Sequence, residues 1–176
     1  FRYTGALRIA QTMLSYGYLW NEIRSKGGAY GCSVRFGRGG NVVFSSYRDP
    51  KLEATNKVYE GTPAYLEHYE ADEREMTKAI IGAIGEMDTP RSAQMSGQLA
   101  LAAYYSKVTD EMLSAERREV LTATPADIRA LTPLVREALR YEAKCVIGNE
   151  SAIERAEDFF TEIPQLCAKE SEETEA

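Results

Sequence analysis

Apolar side chains recur at helical spacing through the first 25 residues of the chain. Spacings of three and four residues place them on one wide face, as an amphipathic helix requires. The pattern therefore predicts an α-helix from Thr4 to about Ser25, with this face in the core. Its two neighbouring stripes hold Ile9, Met13, Tyr16, Trp20 and Ile23, and Leu7, Ala10, Leu14 and Tyr18.

The period changes from helical to alternating at the adjacent glycines Gly27 and Gly28. The segment "GRGGN" then supplies a turn, and "VVFSSY" returns as a second alternating run. Two such runs joined by a glycine-rich turn predict a β-hairpin. The apolar positions of the first run are Tyr30, Cys32, Val34 and Phe36. Because they share one face, the pattern alone predicts that Tyr30 is buried.

Beyond Lys51 the pattern is mainly helical, with several breaks. The stretch 61–63, "GTP", predicts the end of one helix and the start of another. The pair Asp72 and Glu75 predicts a capping box at the start of the next helix. The run "KCVIGN" (144–149) is nearly all apolar and predicts a strand that is buried on both faces.

Together these elements predict an α+β fold, with a largely antiparallel sheet and helices packed on one side of it. We expect a single domain over residues 1–166. The remaining stretch, 167–176, is acidic and poor in apolar residues, so a disordered tail is predicted. The chain starts at Phe1 and not at a methionine, and we expect it to be a fragment of a longer protein.

The composition disfavours several classes of partner. The chain has 176 residues, of which 44% are hydrophobic and 27% charged, as in soluble globular domains. Its net charge is −6 and it contains no basic run, so neither nucleic acid nor membrane is expected as a partner. No apolar run approaches the roughly 20 residues that cross a bilayer. The three cysteines are far apart, which favours a reducing compartment, and we expect a cytoplasmic protein.

The sequence offers no candidate metal centre. Its one histidine, His68, has no second histidine to complete a helical zinc pair, so we expect no metal and no cofactor in this chain. A cysteine or serine nucleophile paired with His68 is conceivable, but no local motif supports it. The glycines Gly37, Gly39 and Gly40 lack the strand–loop–helix context of a phosphate loop, and a hairpin turn explains them.

Arg24 and Tyr30, which flank the glycine pair, have an ordinary structural interpretation. Arg24 falls in the last helical turn, where the helix dipole favours a cation by about 0.3–1 kcal/mol. Tyr30 is in phase with the apolar positions of the strand, and a tyrosine in a strand is usually a packing residue. The residue pattern alone therefore favours a helix-to-strand junction over a binding site.

Five longer motifs give a more specific signal. They are "YLWNEIRSKGGAYG", "FSSYRDP", "MTKAIIGAIGEMDTP", "RREVLTATPADIRAL" and "CVIGNESAIERAEDFF". From about Tyr3 to Leu166, the chain resembles the C-terminal, non-metal half of presequence protease-like peptidases. These peptidases belong to the pitrilysin/insulinase group of zinc metallopeptidases. The first two motifs are the most specific, and we expect a bacterial member.

The resemblance implies one of four homologous α+β units of a large zinc-dependent oligopeptidase, a metallopeptidase-half unit of the processing-peptidase type. The zinc would be bound by an inverted H-x-x-E-H motif in the missing N-terminal half. By motif, Arg24, Gly27, Gly28 and Tyr30 map onto a substrate-binding segment, whose arginine and tyrosine would support the oxyanion. This chain has no zinc ligand and no general base, so no catalytic residue is assigned and it should be inactive alone.

The resemblance gives the chain a substrate-binding and chamber-forming role, with a peptide substrate and the other domains of the parent as partners. Two alternatives stay open: a non-catalytic scaffold homologue, and a module that binds protein partners through its helical face. An exposed apolar face is expected where the missing units dock, and self-association of the fragment is expected through this face. In "SSYRDP", Arg48 and Asp49 are expected to pair and to have a structural role.

Overall fold

The computed structural model describes residues 1–164, which form a series of helices and one β-hairpin. The chain opens with α1 (Gly5–Met13), which runs directly into a π-helix (Leu14–Ser25). The hairpin strands are β1 (Gly31–Phe36) and β2 (Val42–Tyr47). The later elements are α2 (Leu52–Glu67), α3 (Glu73–Met87), α4 (Ala93–Ser106), α5 (Asp110–Leu121), α6 (Pro125–Arg129), α7 (Thr132–Leu139), α8 (Glu150–Glu154) and a 3₁₀ turn (Glu157–Phe159).

Contacts within the chain separate two units, Phe1–Tyr141 and the part that starts at Glu142. The first unit contains the hairpin and helices α1 to α7. The second contains α8, whose start is capped by Asn149: its side-chain oxygen accepts a hydrogen bond from the N–H of Ala152 at 3.2 Å. The predicted end of the domain and the predicted disordered tail (167–176) lie outside the described residues.

The α+β class is confirmed, because the helices combine with an antiparallel pair of strands. The sheet is smaller than predicted. Within residues 1–164 it contains only β1 and β2. These strands pair antiparallel, as predicted, but they make up no more than a hairpin. The predicted strand at 144–149 does not form, and Ile147 within it is 81% exposed. A strand needs a neighbouring backbone for its hydrogen bonds, and none in the described part of the chain pairs with this run.

The predicted helix over residues 4–25 forms, but only its first part is α-helical. From Leu14 onward the winding is π, with hydrogen bonds such as that from Lys26 N–H to Asn21 O at 3.0 Å. The buried apolar positions in it are Leu14, Leu19 and Ile23. Their spacing of five and four residues suits this looser winding. The predicted stripe is therefore wrong at Tyr16, which is 68% exposed.

The centre of the first unit is formed by α1 and the π-helix. Helix α1 lies against α3, α5, α6 and β1, and the π-helix lies against β1 and α2. The largest fully buried apolar side chains are Leu7, Ile9, Leu14, Leu19, Ile23, Leu66, Val120, Ile128 and Val135. Burial of each contributes about 1.5–3 kcal/mol relative to exposure. This cluster anchors the helix that leads to the glycine pair.

The predicted hairpin is confirmed, with Val34 of β1 opposite Phe44 of β2. The N–H groups of Val34 and Phe36 donate to side chains of the first helix, Ser15 Oγ at 3.1 Å and Gln11 Oε1 at 3.2 Å. Backbone donors on this edge of the sheet are thus satisfied without a further strand. The helix fixes the position of the hairpin in this way.

Helix α2 runs straight through the stretch 61–63, where a break is predicted. Tyr18 of the π-helix packs against this point, and its hydroxyl donates to Val58 O at 3.0 Å. A Cβ on Gly61 would lie 2.7 Å from that hydroxyl oxygen, so the close approach requires glycine. The ring of Tyr18 also stacks on Tyr65, with centroids 4.5 Å apart. The glycine marks a packing site within one helix, and the prediction of a helix end is wrong.

One buried carboxylate links three elements of the first unit. Glu116 of α5 is 3% exposed and pairs with Arg8 of α1 and with Arg38 in the hairpin turn. Both guanidinium groups also lie over the ring of Tyr3, with Cζ-to-centroid distances of 5.9 and 4.8 Å. The cluster therefore ties the turn of the hairpin to α1 and α5.

Candidate functional site

The glycine pair is held by hydrogen bonds to the end of the π-helix. Gly28 N–H donates to Arg24 O at 3.0 Å, and Ala29 N–H donates to Ile23 O at 3.1 Å. A Cβ on Gly27 would lie 2.2 Å from Ile23 O. Gly28 has a φ of +89°, in the left-handed region that favours glycine. The backbone of the junction therefore requires both glycines.

Arg24 lies in the last turn of the π-helix, where its charge complements the helix dipole. Its guanidinium stacks on Trp20, with Cζ 3.9 Å from the ring centroid. The side chain is half-buried, and among the described residues it has no hydrogen-bond or ion-pair partner. Stacking covers a face of the planar group and leaves the N–H groups along its edge able to donate.

Tyr30 begins the hairpin, where its N–H donates to Tyr47 O at 3.0 Å. Its side chain is 64% exposed, so the prediction of a core residue from the alternating pattern is wrong. Burial along this face of β1 increases away from Tyr30, from half-buried Cys32 to fully buried Val34 and Phe36. The face is in phase as predicted, but its first residue lies where no helix of the described part of the chain covers it.

The four predicted site residues lie within the stretch 24–30, and the structure brings only some of them together. Arg24 and Gly28 are joined through the backbone. Within residues 1–164, no hydrogen bond or ring contact joins the side chains of Arg24 and Tyr30. Each side chain instead contacts a different aromatic residue, Trp20 for Arg24 and Tyr47 for Tyr30.

Three polar side chains, Cys32, Asp49 and Tyr59, lie close together between the hairpin and α2. Burial raises the pKa of the Tyr59 hydroxyl to about 12. Burial also raises the pKa of the Cys32 thiol, while the charge of Arg24 acts in the opposite direction and is the weaker effect. The thiol therefore stays protonated at neutral pH, and Cys32 packs against the hydrophobic core. Asp49 Oδ2 is buried without a hydrogen-bond partner in the described part of the chain.

The expected pair between Arg48 and Asp49 is not formed. Asp49 Oδ1 accepts a hydrogen bond from Lys51 N–H at 2.9 Å. Arg48 instead lies over two rings, with Cζ 5.5 Å from the centroid of Tyr47 and 5.9 Å from that of Tyr30. Hydrophobic periodicity cannot reveal this contact, because it depends on a left-handed φ of 49° at Arg48. The contact makes Tyr47 and Arg48 neighbours of the predicted site.

The other candidates from the sequence have structural positions. His68 is exposed at the end of α2, and its Nδ1 lies 2.9 Å from Ala64 O. Among the described residues, no group of three or more His, Cys, Asp or Glu side chains is placed to hold a metal ion. The glycine-rich segment 37–41 forms the hairpin turn, with a φ of +88° at Gly40. No helix in residues 1–164 is long and apolar enough to span a membrane.

Comparison with known proteins gives consistent matches. Residues 2–150 match the family model for the PreP C-terminal domain. Protein HypA of Clostridium perfringens is 41% identical over 166 residues, which are 94% of this chain and 17% of that protein. Presequence protease 1, chloroplastic/mitochondrial, of Arabidopsis thaliana is 35% identical over 126 residues, 71% of this chain and 12% of that protein. The mitochondrial presequence protease of Schizosaccharomyces pombe is 31% identical over 148 residues, 82% of this chain and 14% of that protein.

The chain thus spans less than a fifth of the length of these relatives. The matched region 2–150 includes the junction from Arg24 to Tyr30 and the strand that carries Tyr47. Two of the relatives have names that refer to mitochondria or chloroplasts, and the cytoplasmic location stays a prediction.

Proposed function

The chain belongs to the PreP C-terminal domain family, and from this premise we propose that it is the substrate-binding, chamber-forming domain of a peptide-hydrolysing enzyme. The observation that carries the proposal is the junction itself. Arg24 and Tyr30 flank two obligatory glycines, each side chain is held against an aromatic ring, and Tyr30 is exposed. The presequence proteases among the relatives support peptides as the substrate class.

Arg24 and Tyr30 bind the backbone of an extended peptide. The edge of the guanidinium and the phenol hydroxyl both supply N–H or O–H donors for peptide carbonyl oxygens. Because Trp20 and Tyr47 already hold these side chains, little conformational entropy is lost when a peptide binds. The same donors stabilise the negative charge that grows on a carbonyl oxygen under attack.

Gly27 and Gly28 contribute through the backbone. Gly27 fixes the turn, because its Cβ position is filled by the carbonyl oxygen of Ile23. Gly28 is exposed, so a peptide backbone can approach it without meeting a Cβ. The pair therefore sets the spacing between the two donor side chains and leaves room beside them.

The described residues do not fit a zinc site, since His68 caps the end of a helix and no suitable group of ligands surrounds it. We assign zinc to the other domains of the longer protein and no hydrolytic step to this chain. The chain taken alone is therefore expected to bind peptide without cleaving it.

Two substitutions in the full-length polypeptide that contains this domain test the proposal. Tyr30→Phe removes one hydroxyl donor, and Arg24→Ala removes the guanidinium. Each is expected to lower kcat/KM for peptide hydrolysis by about 10²- to 10³-fold, the usual cost of losing one such donor. Circular dichroism and zinc content should stay unchanged.

Arg118→Ala, which removes an exposed arginine of α5, is the matched control and should keep full activity. Wild-type turnover in both Arg24→Ala and Tyr30→Phe would contradict the proposal. A full-length wild-type polypeptide without peptidase activity would favour the non-catalytic scaffold homologue.

Helix α4 favours a second candidate function, a module that binds protein partners. None of its residues is buried, although the helix is mainly apolar. Its exposed large side chains are Met95, Leu99, Leu101, Tyr104 and Tyr105. Exposed apolar side chains gathered on one helix mark interaction surfaces. In this second function α4 binds a partner protein, whereas in the first it contacts the other domains of the longer protein.

A further inference from the structure

Two tyrosines and an arginine form an exposed cluster at the end of the hairpin. Tyr30 and Tyr47 are 64% and 59% exposed, and their rings meet edge to face with centroids 5.8 Å apart. The guanidinium of Arg48 lies within 6 Å of both ring centroids, the range of an attractive cation–π contact. The rings therefore hold this guanidinium in place at the surface.

The backbone of Arg48 supports the same arrangement. Its φ of 49° is in the left-handed region, which crowds the Cβ of any residue except glycine. Non-glycine residues in this region cluster at ligand-binding sites, where the surrounding structure maintains them. Arg48 directly follows β2, so this backbone turn brings its side chain over the two rings.

The donors of the Arg48 guanidinium are unused. Arginines of the same unit that pair with carboxylates include Arg8, Arg38 and Arg117. Arg48, like Arg24, has no hydrogen-bond or ion-pair partner among the described residues. Even the adjacent carboxylate of Asp49 turns to the N–H of Lys51. An arginine held on aromatic rings with its N–H groups open is suited to bind an oxyanion of another molecule.

We propose that Tyr30, Tyr47 and Arg48 form a subsite for a carboxylate of the bound peptide. The subsite rests on the proposed function, which supplies the peptide as the ligand. Its carboxylate is either an acidic side chain or the C-terminal group, since both match the planar fork of a guanidinium. Tyr30 belongs both to this subsite and to the pair of side chains that binds the peptide backbone, so the two sites adjoin. The subsite therefore selects the register in which a peptide is held.

The selectivity of the full-length polypeptide among matched peptides tests this subsite. One Glu is moved through every position of a neutral peptide, and each peptide is compared with its Gln counterpart. A further pair differs only in a free or amidated C-terminus. The wild type should favour the carboxylate in one of these pairs by about three- to tenfold in kcat/KM, as expected for one charge-assisted contact.

Arg48→Gln should bring this ratio to about one, and Arg48→Lys should keep part of it, because lysine retains the charge without the fork. Arg35→Gln is the matched control, since Arg35 is an exposed arginine on the neighbouring strand β1, and it should keep the full preference. A preference at an internal position identifies an acidic side chain, and one confined to the free terminus identifies the terminal carboxylate.

Equal turnover within every pair by the wild type, or an unchanged preference in Arg48→Gln, would overturn the subsite and leave the proposed function standing. If the wild type cleaved none of the peptides, the subsite and the proposed function would both be contradicted. Thermal melting shows whether Arg48→Gln is folded. If it is not, the ratio in folded Arg48→Lys decides the question, and an undiminished preference there overturns the subsite.

Discussion

At the glycine junction, the absence of one side chain determines the path of the backbone. Ile23 O occupies the place where a Cβ on Gly27 would lie. A carbonyl in a helix cannot move aside as the end of a flexible side chain can, so a side chain at Gly27 must open the last turn of the π-helix. Arg24 and Tyr30 lie on either side of this point, and both would then change orientation.

Gly27→Ala is expected to lower the free energy of unfolding by about 1–3 kcal/mol, because the added methyl overlaps backbone atoms. Gly31→Ala is the control, since a Cβ there would contact no atom of residues 1–164 within 4 Å. The control should stay within about 0.5 kcal/mol of the wild type. Urea denaturation of the two variants measures the difference, and equal stabilities would show that the junction tolerates a Cβ.

Interactions between residues close in sequence were predictable. The capping box forms as predicted, with Asp72 Oδ1 2.8 Å from Glu75 N and Glu75 Oε2 3.1 Å from Asp72 N. Both bonds span three residues, so the local sequence determines them. The exposure of Tyr30 was not predictable in this way, because it depends on which distant elements cover the end of β1.

At the scale of elements, packing decides between patterns that the sequence leaves equivalent. Tyr16 fits a 3.6-residue stripe, whereas Leu19 fits the wider spacing of the π-helix, and the two patterns overlap. The π-helix lies against β1 and α2, and these contacts bury Leu19 and leave Tyr16 exposed. Likewise, the stretch 61–63 contains strong break signals, yet the contact with Tyr18 keeps α2 in one piece.

Glu116→Gln is expected to lower the free energy of unfolding by about 3–5 kcal/mol. The buried carboxylate pairs with two arginines, Arg8 and Arg38. The substitution removes its negative charge and leaves both guanidinium groups without a counter-charge. Glu67→Gln is the matched control, because it breaks an exposed ion pair with Arg136 at 2.9 Å, and exposed pairs of this kind contribute about 0.2–1 kcal/mol. Thermal or urea unfolding compares the two. A loss no larger than that of the control would show that the Glu116 cluster is not needed for stability.

At the scale of the whole molecule, the class of fold was predictable and the extent of the sheet was not. Helical and alternating periods are properties of short segments, so the α+β class follows from them. Strand pairing is non-local: the run 144–149 has the composition of a strand but no ladder partner among the described residues. The apolar character of α4 is visible in the sequence, whereas the absence of any buried residue in it became apparent only in the structure.

The exposed surface of α4 predicts concentration-dependent self-association of the 176-residue chain. Sedimentation analysis over a range of concentrations should show it, and the double variant Leu101→Glu, Tyr105→Glu should reduce it. Val43→Glu, at a 49% exposed apolar position on β2, is the control. If Val43→Glu reduced association and the α4 variant did not, the hairpin would be the contact surface.

The π-helix gives insertions and deletions a particular importance in this family. Each residue of an α-helix turns the chain by about 100°, so removing one residue from the looser π winding rotates everything that follows it. Gly17 lies within this segment, and a Cβ there would contact none of the described residues within 4 Å. A relative could therefore turn Arg24 away from the peptide without a single substitution in the site. In an alignment of relatives, a gap between residues 14 and 25 would then mark a changed function more clearly than the identity of the site residues.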